Sequence, residues 1–238
     1  MTDPRSRTRL RVLSRLVAVA GVVGAYLGTY GPGVVKSFQI LAGAPYSQAP
    51  DEAAAAAAAG SLIGGIVFTL PVLGLLLALA RYGIAPRRPE IIVVSAWRAI
   101  VLGPGRGTLV TAAATAGWFF VAIAVGKLYY PLLSVVLRLP AAAFSWKPQD
   151  PLTAAVVALS AGVLEETIVV AAPILVYIAV FGSRGRRWPP IGLVAVLAII
   201  RLSYHLYYGS DVLMLIPWAI AVPIVFWRLR LTWPLILA

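Results

Sequence analysis

The stretch that decides the fold class covers residues 152–181, which read LTAAVVALSAGVLEETIVVAAPILVYIAVF. It is apolar over more than the roughly 20 residues that an α-helix needs to cross a bilayer. Its only charged side chains, Glu165 and Glu166, lie side by side near its middle. A charge at that depth costs about 2.5–3.5 kcal/mol even on the lenient insertion scale, and such groups are usually paired or functional. The stretch therefore predicts a spanning helix with a buried polar partner.

The chain as a whole is as apolar as this stretch. Of its 238 residues 61% are hydrophobic and 12% are charged, whereas soluble domains are about 45–50% apolar and about 25% charged. These proportions exclude an ordinary soluble globule, a disordered chain and a coiled coil. The lack of cysteine and the single histidine exclude disulfides, thiolate metal sites and sites with several imidazoles. We predict an all-α polytopic membrane protein, forming a single transmembrane domain over residues 1–238.

Six hydrophobic stretches predict six full transmembrane helices, and a truncated seventh follows them. The six cover approximately residues 16–35, 53–80, 107–130, 152–181, 191–208 and 212–227, and the seventh runs from 232 to 238. Glycine and proline at 31–33 predict a break in the first helix, and a polar loop is predicted to follow over 36–52. We expect Gly60, Gly64 and Gly65 to let the second helix pack closely against a neighbour.

Three segments between or before the spans have other interpretations. Residues 91–102 are too short to span a bilayer and carry Trp97 and Arg98, which is typical of an interfacial amphipathic helix. Residues 132–150 are mixed in polarity and predict a re-entrant or interfacial segment. The basic N-terminus also resembles a signal peptide with a cleavage site at 42–44, but the apolar stretch is long for one, so we favour a retained span.

The net charge of +12 is explained by orientation in a membrane. With the N-terminus inside, fifteen arginines and two carboxylates fall on the inner side, in segments 3–15, 81–106, 184–187 and 228–230. Four cations and four carboxylates fall on the outer side. This is the positive-inside distribution of a membrane protein, and it accounts for the basic composition without a nucleic-acid partner. We expect a multi-pass protein of the cell membrane.

Four ionisable residues belong to neither side of the membrane: Glu165, Glu166, Arg201 and His205. From the helical rise of 1.5 Å, Glu165 lies about 25 Å from the inner end of the fourth span, and His205 lies about 21 Å from that of the fifth. These two spans are joined by a short loop, so both side chains fall at one level. Arg201 and His205 are four residues apart and share a helix face. The sequence therefore predicts one buried cluster.

Such a cluster permits both chemistry and structural pairing. A carboxylate in apolar surroundings can take a proton from water near neutral pH, and His205 could share that water or stabilise developing charge. A structural alternative remains open at this point. Glu166 and Arg201 could form a salt bridge that locks two helices, with His205 in an ordinary interfacial belt of Tyr204, Tyr207 and Tyr208.

Two motifs here are similar to those of a protease family. Residues 164–170, LEETIVV, resemble two glutamates followed four residues later by an arginine, with Val170 at the arginine position. Residues 201–205, RLSYH, resemble a phenylalanine and, after three residues, a histidine, with Arg201 in place of the phenylalanine. On these motifs, residues 150–238 resemble the CAAX protease and bacteriocin-processing family (CPBP, or ABI), which comprises helical intramembrane proteases and their relatives.

The resemblance extends further and then stops. The run YHLYYG at 204–209 looks like the form found in many actinobacterial members, which implies a bacterial plasma membrane. The family's third motif is a histidine with an asparagine or aspartate four residues on, in a later span. The closing WPLILA at 233–238 looks like the lead-in to that histidine, and the sequence ends before it.

The family's known chemistry implies a role for each matching residue. The first glutamate and the second-motif histidine are thought to activate water for peptide hydrolysis, and the third-motif residues to stabilise the oxyanion. By resemblance, Glu165, Glu166 and His205 form the predicted catalytic set, and the oxyanion role has no candidate. We add the hypothesis that Arg201 supports this set by pairing with Glu166, within the 6 Å or so over which opposite charges act. No metal or cofactor is implied.

The leading prediction for function is a metal-independent, CAAX prenyl protease-like peptidase that cleaves a peptide or membrane-protein segment. One oxyanion donor contributes about 2.7–4 kcal/mol. Its absence favours, as an alternative, a non-catalytic relative that binds a peptide or gives immunity to a bacteriocin. A small proton-coupled transporter is a third interpretation, because intramembrane Glu and His also form proton relays, although no repeat or pair of broken helices supports it.

Overall fold

The computed structural model describes residues 4–44, 51–65, 67, 108–137, 150–182 and 188–229. Throughout these ranges the regular secondary structure is helical. The elements, in chain order, are α1 (Pro4–Leu41), α2 (Asp51–Gly64), α3 (Thr108–Leu137), α4 (Pro151–Leu164), a π-helical segment (Glu165–Ala171), α5 (Ala172–Phe181), α6 (Ile191–Ser203), a 3₁₀ segment (Leu206–Leu215) and α7 (Ile216–Leu229).

Four helical stretches are long and apolar enough to cross a membrane: Val12–Leu41, Ala113–Leu133, Pro151–Ile178 and Asp211–Leu229. They overlap the first, third, fourth and sixth predicted spans, so the prediction of a helical, membrane-type protein is confirmed at this level. The second predicted span lies only partly within the described residues. The predicted interfacial helix at 91–102 and the predicted seventh span at 232–238 lie outside them.

The predicted break at 31–33 is wrong, because α1 continues through Pro32 to Leu41. Helices in apolar surroundings tolerate proline, since local adjustments satisfy the freed backbone groups. The predicted polar loop over 36–52 therefore starts too early. The chain leaves the helix at residue 42, and Gly43 there has a φ of 94°, a conformation that favours glycine.

The fifth predicted span, 191–208, is also wrong in its extent. Its α-helix, α6, covers 13 residues and ends at Ser203, which is shorter than a bilayer requires. The chain then continues through Tyr204 and His205 into the 3₁₀ segment. Arg201 and His205 are therefore not on one continuous helix, although they remain neighbours in space. Of the segment predicted to be re-entrant, 132–137 continues α3 and 138–149 lies outside the described residues.

The two adjacent glutamates lie in the π-helical segment, which a proline follows closely. Pro173 is the second residue of α5, and its ring nitrogen carries no hydrogen to donate to the preceding turn. A local π turn is one way in which an apolar helix accommodates such a proline. All seven residues of the segment are buried, and short π turns of this kind occur frequently at functional sites.

The core of the described residues forms around this segment. Val169, Val170 and Ile174 pack with buried side chains of α3, α6 and α7, including Trp218 and Phe226. Elsewhere many large apolar side chains remain exposed, among them Ile191 (87%) and Leu128 (82%). Exposed apolar surface on this scale is typical of a protein that contacts lipid.

Two glycines mark close approaches between helices. A Cβ at Gly65 would collide with Leu164 Cδ2, and a Cβ at Gly126 would lie 2.5 Å from the Met214 carbonyl oxygen. The predicted close packing at Gly65 is thus confirmed. At Gly60 and Gly64 no atom of the described residues lies within 4 Å of such a Cβ, so the predicted packing is not found there within the described part of the chain.

Candidate functional site

Arg201 is the centre of a buried charge cluster. Its Nη2 donates a hydrogen bond to Glu166 Oε1 at 2.7 Å and another to Glu165 Oε2 at 3.1 Å. The three side chains are buried, with Glu166 only 2% exposed. The predicted pairing of Arg201 with Glu166 is confirmed, and Glu165 shares the same nitrogen. This single nitrogen carries two hydrogens, so each carboxylate receives one of them.

His205 lies on the other side of Glu165. Its Nε2 is 3.6 Å from Glu165 Oε1, so the two oxygens of that carboxylate face different partners. Tyr204 and His205 both have backbone angles near φ −90° and ψ 0°, the bridge region in which many active-site residues lie. The end of α6 at Ser203 is what turns the imidazole toward the carboxylate. The predicted common level of Glu165 and His205 is therefore confirmed.

The first helix also contributes to the site. Tyr26, Tyr30, Gly33 and Ser37 lie on one face of α1 and contact the chain around Tyr204. The Tyr30 and Tyr204 rings stack at 4.4 Å between centroids, and Ser37 Oγ donates to the Tyr204 carbonyl oxygen at 3.3 Å. A Cβ on Gly33 would lie 3.7 Å from Tyr204 Cβ, an ordinary contact. This face thus supports the segment that carries His205.

Tyr204 is not part of an interfacial belt. It is 4% exposed, and its ring lies 4.4 Å from that of His205, between centroids. On its other side it stacks on Tyr30. The structural alternative of an ordinary aromatic belt is therefore wrong for Tyr204. Tyr208 also stacks on His205, with 5.3 Å between centroids and 12° between the ring planes, so the imidazole contacts two phenol rings.

Several buried polar atoms at the cluster have no hydrogen-bond partner within the described part of the chain. They are Glu166 Oε2, Arg201 Nη1, His205 Nδ1 and the hydroxyls of Tyr30 and Tyr204. A buried polar group without a partner costs about 1–3 kcal/mol, and nearly all such groups in proteins find one in the protein or in water. The cluster therefore has both donors and acceptors to offer a small polar molecule or a peptide group.

The 3₁₀ segment beside the site is fastened to α3. The Tyr130 hydroxyl donates to Asp211 Oδ1 at 2.7 Å, and the Tyr129 hydroxyl donates to the Leu213 carbonyl oxygen. Both tyrosines of α3 thus have specific partners in this segment. Gly126, one helical turn before Tyr130, lets the segment approach closely. These contacts fix the chain that follows His205.

Sequence reasoning found the four charged residues and missed the tyrosines of α1. Tyr26 and Tyr30 are four residues apart in the largely aliphatic stretch 16–35 of α1, with Gly33 and Ser37 continuing the same face. A polar stripe of this period in a spanning helix is a signal for inward orientation. Val170, at the position of the family's arginine, lies in the core instead, and Arg201 reaches the glutamates from α6.

Within the described ranges no group of three or more His, Asp or Glu side chains is arranged to hold a metal ion. Comparisons with protein-family models, with curated proteins and with solved structures give no match. The resemblance to the CAAX protease and bacteriocin-processing family therefore stays a prediction that rests on the two motifs.

Proposed function

We propose that this chain is an intramembrane glutamate-type peptidase that hydrolyses a peptide bond in a membrane-associated protein or peptide. The proposed topology has six transmembrane helices and the first turns of a seventh, with the N-terminus inside, in a bacterial plasma membrane. The observation that carries the proposal is the contact of 3.6 Å between His205 Nε2 and Glu165 Oε1 inside the helical bundle.

Glu165 and His205 are suitably placed to activate a water molecule. One water can bond both Glu165 Oε1 and His205 Nε2, because catalytic contacts are often loose before substrate binds. Its oxygen attacks the peptide carbonyl carbon while Glu165 accepts its proton. The carbonyl electron pair moves to the oxygen and returns as the C–N bond breaks. The proton then passes to the leaving nitrogen, so the products are a carboxylic acid and an amine.

Arg201 and Glu166 position this pair. Arg201 holds Glu165 Oε2 and thereby directs Oε1 toward His205, while Glu166 fixes the guanidinium from its other side. Arg201 Nη2 also occupies the point between the two carboxylates where a divalent cation would otherwise bind. This arrangement supports a mechanism in which Glu165 itself activates the water.

The proposal is tested by comparing peptide N-termini in membranes of cells that produce four forms of the protein. New N-termini should appear with the wild type and with the Glu52→Gln control, which makes the same change in the first turn of α2. They should be missing with Glu165→Gln and with His205→Ala. Identical N-termini in all four preparations would refute the proposed activity.

One observation favours a second candidate, a non-catalytic relative that binds a peptide or gives immunity to a bacteriocin. Both glutamates are engaged by Arg201, as in a purely structural ion-pair network. In that case Glu165→Gln should lower the stability of the protein while its protective effect on bacteriocin-treated cells persists. A peptidase would lose its activity in the same variant.

A further inference from the structure

Three buried donors near the cluster have no hydrogen-bond partner in the described part of the chain: the Tyr30 hydroxyl, the Tyr204 hydroxyl and Arg201 Nη1. Tyr30 lies on α1 and stacks on Tyr204, which follows Arg201 of α6 by three residues. Tyr30 and Arg201 thus bring donors to the cluster from two different helices. Each of these atoms can donate a hydrogen bond to an oxygen that accepts two.

The aromatic stack connects this donor pair to the reacting groups. Tyr30 stacks on Tyr204 at 4.4 Å, and Tyr204 contacts His205 at the same centroid distance. Arg201 Nη2 donates to the Glu165 carboxylate, and Nη1 belongs to the same rigid, planar guanidinium group. Both donors thus belong to side chains that are linked by packing or by a hydrogen bond to the pair that would hold the water.

We propose that the Tyr30 hydroxyl and Arg201 Nη1 bind the carbonyl oxygen of the scissile peptide and stabilise the negative charge that develops on it. This inference rests on the proposed function, and it supplies oxyanion donors, a role for which the motifs offer no candidate. A preorganised donor of this kind is effective because it needs no reorganisation when the charge develops. When water adds to the carbonyl carbon, the electron pair of the C=O bond moves to the oxygen that these donors hold.

Tyr26 provides a matched control one helical turn before Tyr30. Its hydroxyl is already engaged, at 2.8 Å from Ser203 Oγ and at 3.2 Å from the Ile200 carbonyl oxygen, to which it donates. Tyr26→Phe therefore loses an existing bond and should lower the unfolding temperature in detergent. Tyr30→Phe loses no bond within the protein, so its unfolding temperature should stay the same or rise.

The kinetic test uses a peptide cleaved by the wild type, with kcat and KM measured for each variant. For Tyr30→Phe we expect kcat to fall by about 10²–10³-fold, the usual loss for one oxyanion donor, with KM nearly unchanged, as for an interaction made only in the transition state. Tyr177→Phe, at a tyrosine of α5 that packs against Phe181 and Trp227, is the kinetic control and should retain kcat. A Tyr30→Phe enzyme with the kcat of the wild type would overturn the assignment.

A tripeptide aldehyde separates this inference from the proposed function. Its hydrate mimics the tetrahedral intermediate and should raise the unfolding temperature of the wild type and of Tyr177→Phe, but not of Tyr30→Phe. This pattern in a protein that cleaves nothing would keep the donor pair and overturn only the peptidase. An equal rise in all three forms, or no rise in any, would overturn the donor pair even if cleavage is observed.

Discussion

Replacing Arg201 by methionine tests whether the charge cluster is the main polar constraint on the bundle. The change keeps an unbranched apolar stem but removes the guanidinium that serves Glu165 and Glu166. Glu166 is 2% exposed and would keep no ion-pair partner, whereas Glu165 would keep His205. The perturbation therefore leaves one carboxylate fully uncompensated and a second only partly compensated.

The magnitude follows from this burial. Breaking a buried ion pair by removing one partner costs about 3–5 kcal/mol, because the remaining charge stays buried. Two short contacts, at 2.7 and 3.1 Å, are lost together in Arg201→Met, so we expect a loss of free energy of unfolding within that range. The double variant Arg201→Met with Glu166→Gln also removes the most deeply buried carboxylate charge. It should therefore recover a substantial part of the lost free energy of unfolding.

The assay is reversible unfolding in mixed micelles, followed by tryptophan fluorescence, since Trp218 and Trp227 are buried in the core. Arg228→Met serves as the control. Arg228 is exposed and lies 4.0 Å over the Trp188 ring, a contact that contributes about 0.5–1 kcal/mol at exposed sites. If Arg201→Met lowers the free energy of unfolding no more than Arg228→Met does, the charge cluster is not the main polar constraint on the bundle.

Three further predictions concern other contacts. Gly126→Ala should lose about 1–3 kcal/mol, because its Cβ would meet the Met214 backbone. A Cβ at Gly117, on the same helix, would meet open space, so Gly117→Ala should be neutral or slightly stabilising. Equal free energies of unfolding for the two alanine variants would contradict this. Hydrogen bonds from Thr153 and Leu152 hold the pKa of Asp150 below its usual value. The ionised carboxylate should therefore stabilise α4 at every pH above the ordinary aspartate pKa. This stabilisation should be lost as the pH falls through the lowered pKa of the folded protein. Asp150→Asn should flatten that dependence in a pH series of thermal melts, and an unchanged pH dependence would count against it. Cleavage should persist after treatment with EDTA, because a guanidinium nitrogen lies between the two carboxylates. A cleavage activity that EDTA abolishes and Zn²⁺ restores would contradict this.

The level of the charged residues could be predicted because helical rise is nearly constant in α-helices. Counting from the short loop between the fourth and fifth spans placed Glu165 and His205 together, and their contact agrees. The pairing of Arg201 with Glu166 followed from the expense of an unpaired charge in an apolar interior. In both cases a single strong physical constraint left few alternatives.

The features that were missed depend on weaker or longer-range constraints. Pro32 lies inside α1 because apolar surroundings favour an unbroken helix over the local preference of proline. The early end of α6 at Ser203 comes where Tyr204 packs against Tyr30, which lies 174 residues before Tyr204 in the sequence. Which face of α1 turns inward is likewise decided by tertiary packing. Local patterns do not contain this information.

The π-helical segment at Glu165–Ala171 has a consequence for how the chain tolerates changes in length. A π turn closes its backbone ring over one residue more than an α turn does, so the segment behaves as an α-helix with one residue inserted. Deleting Thr167 would therefore allow regular α-helix from α4 into α5 while both helices keep their present faces. In a helix without a π turn, the same deletion would rotate one side by about 100° relative to the other. The π turn thus makes this part of the chain tolerant of a one-residue deletion that a regular helix would not tolerate.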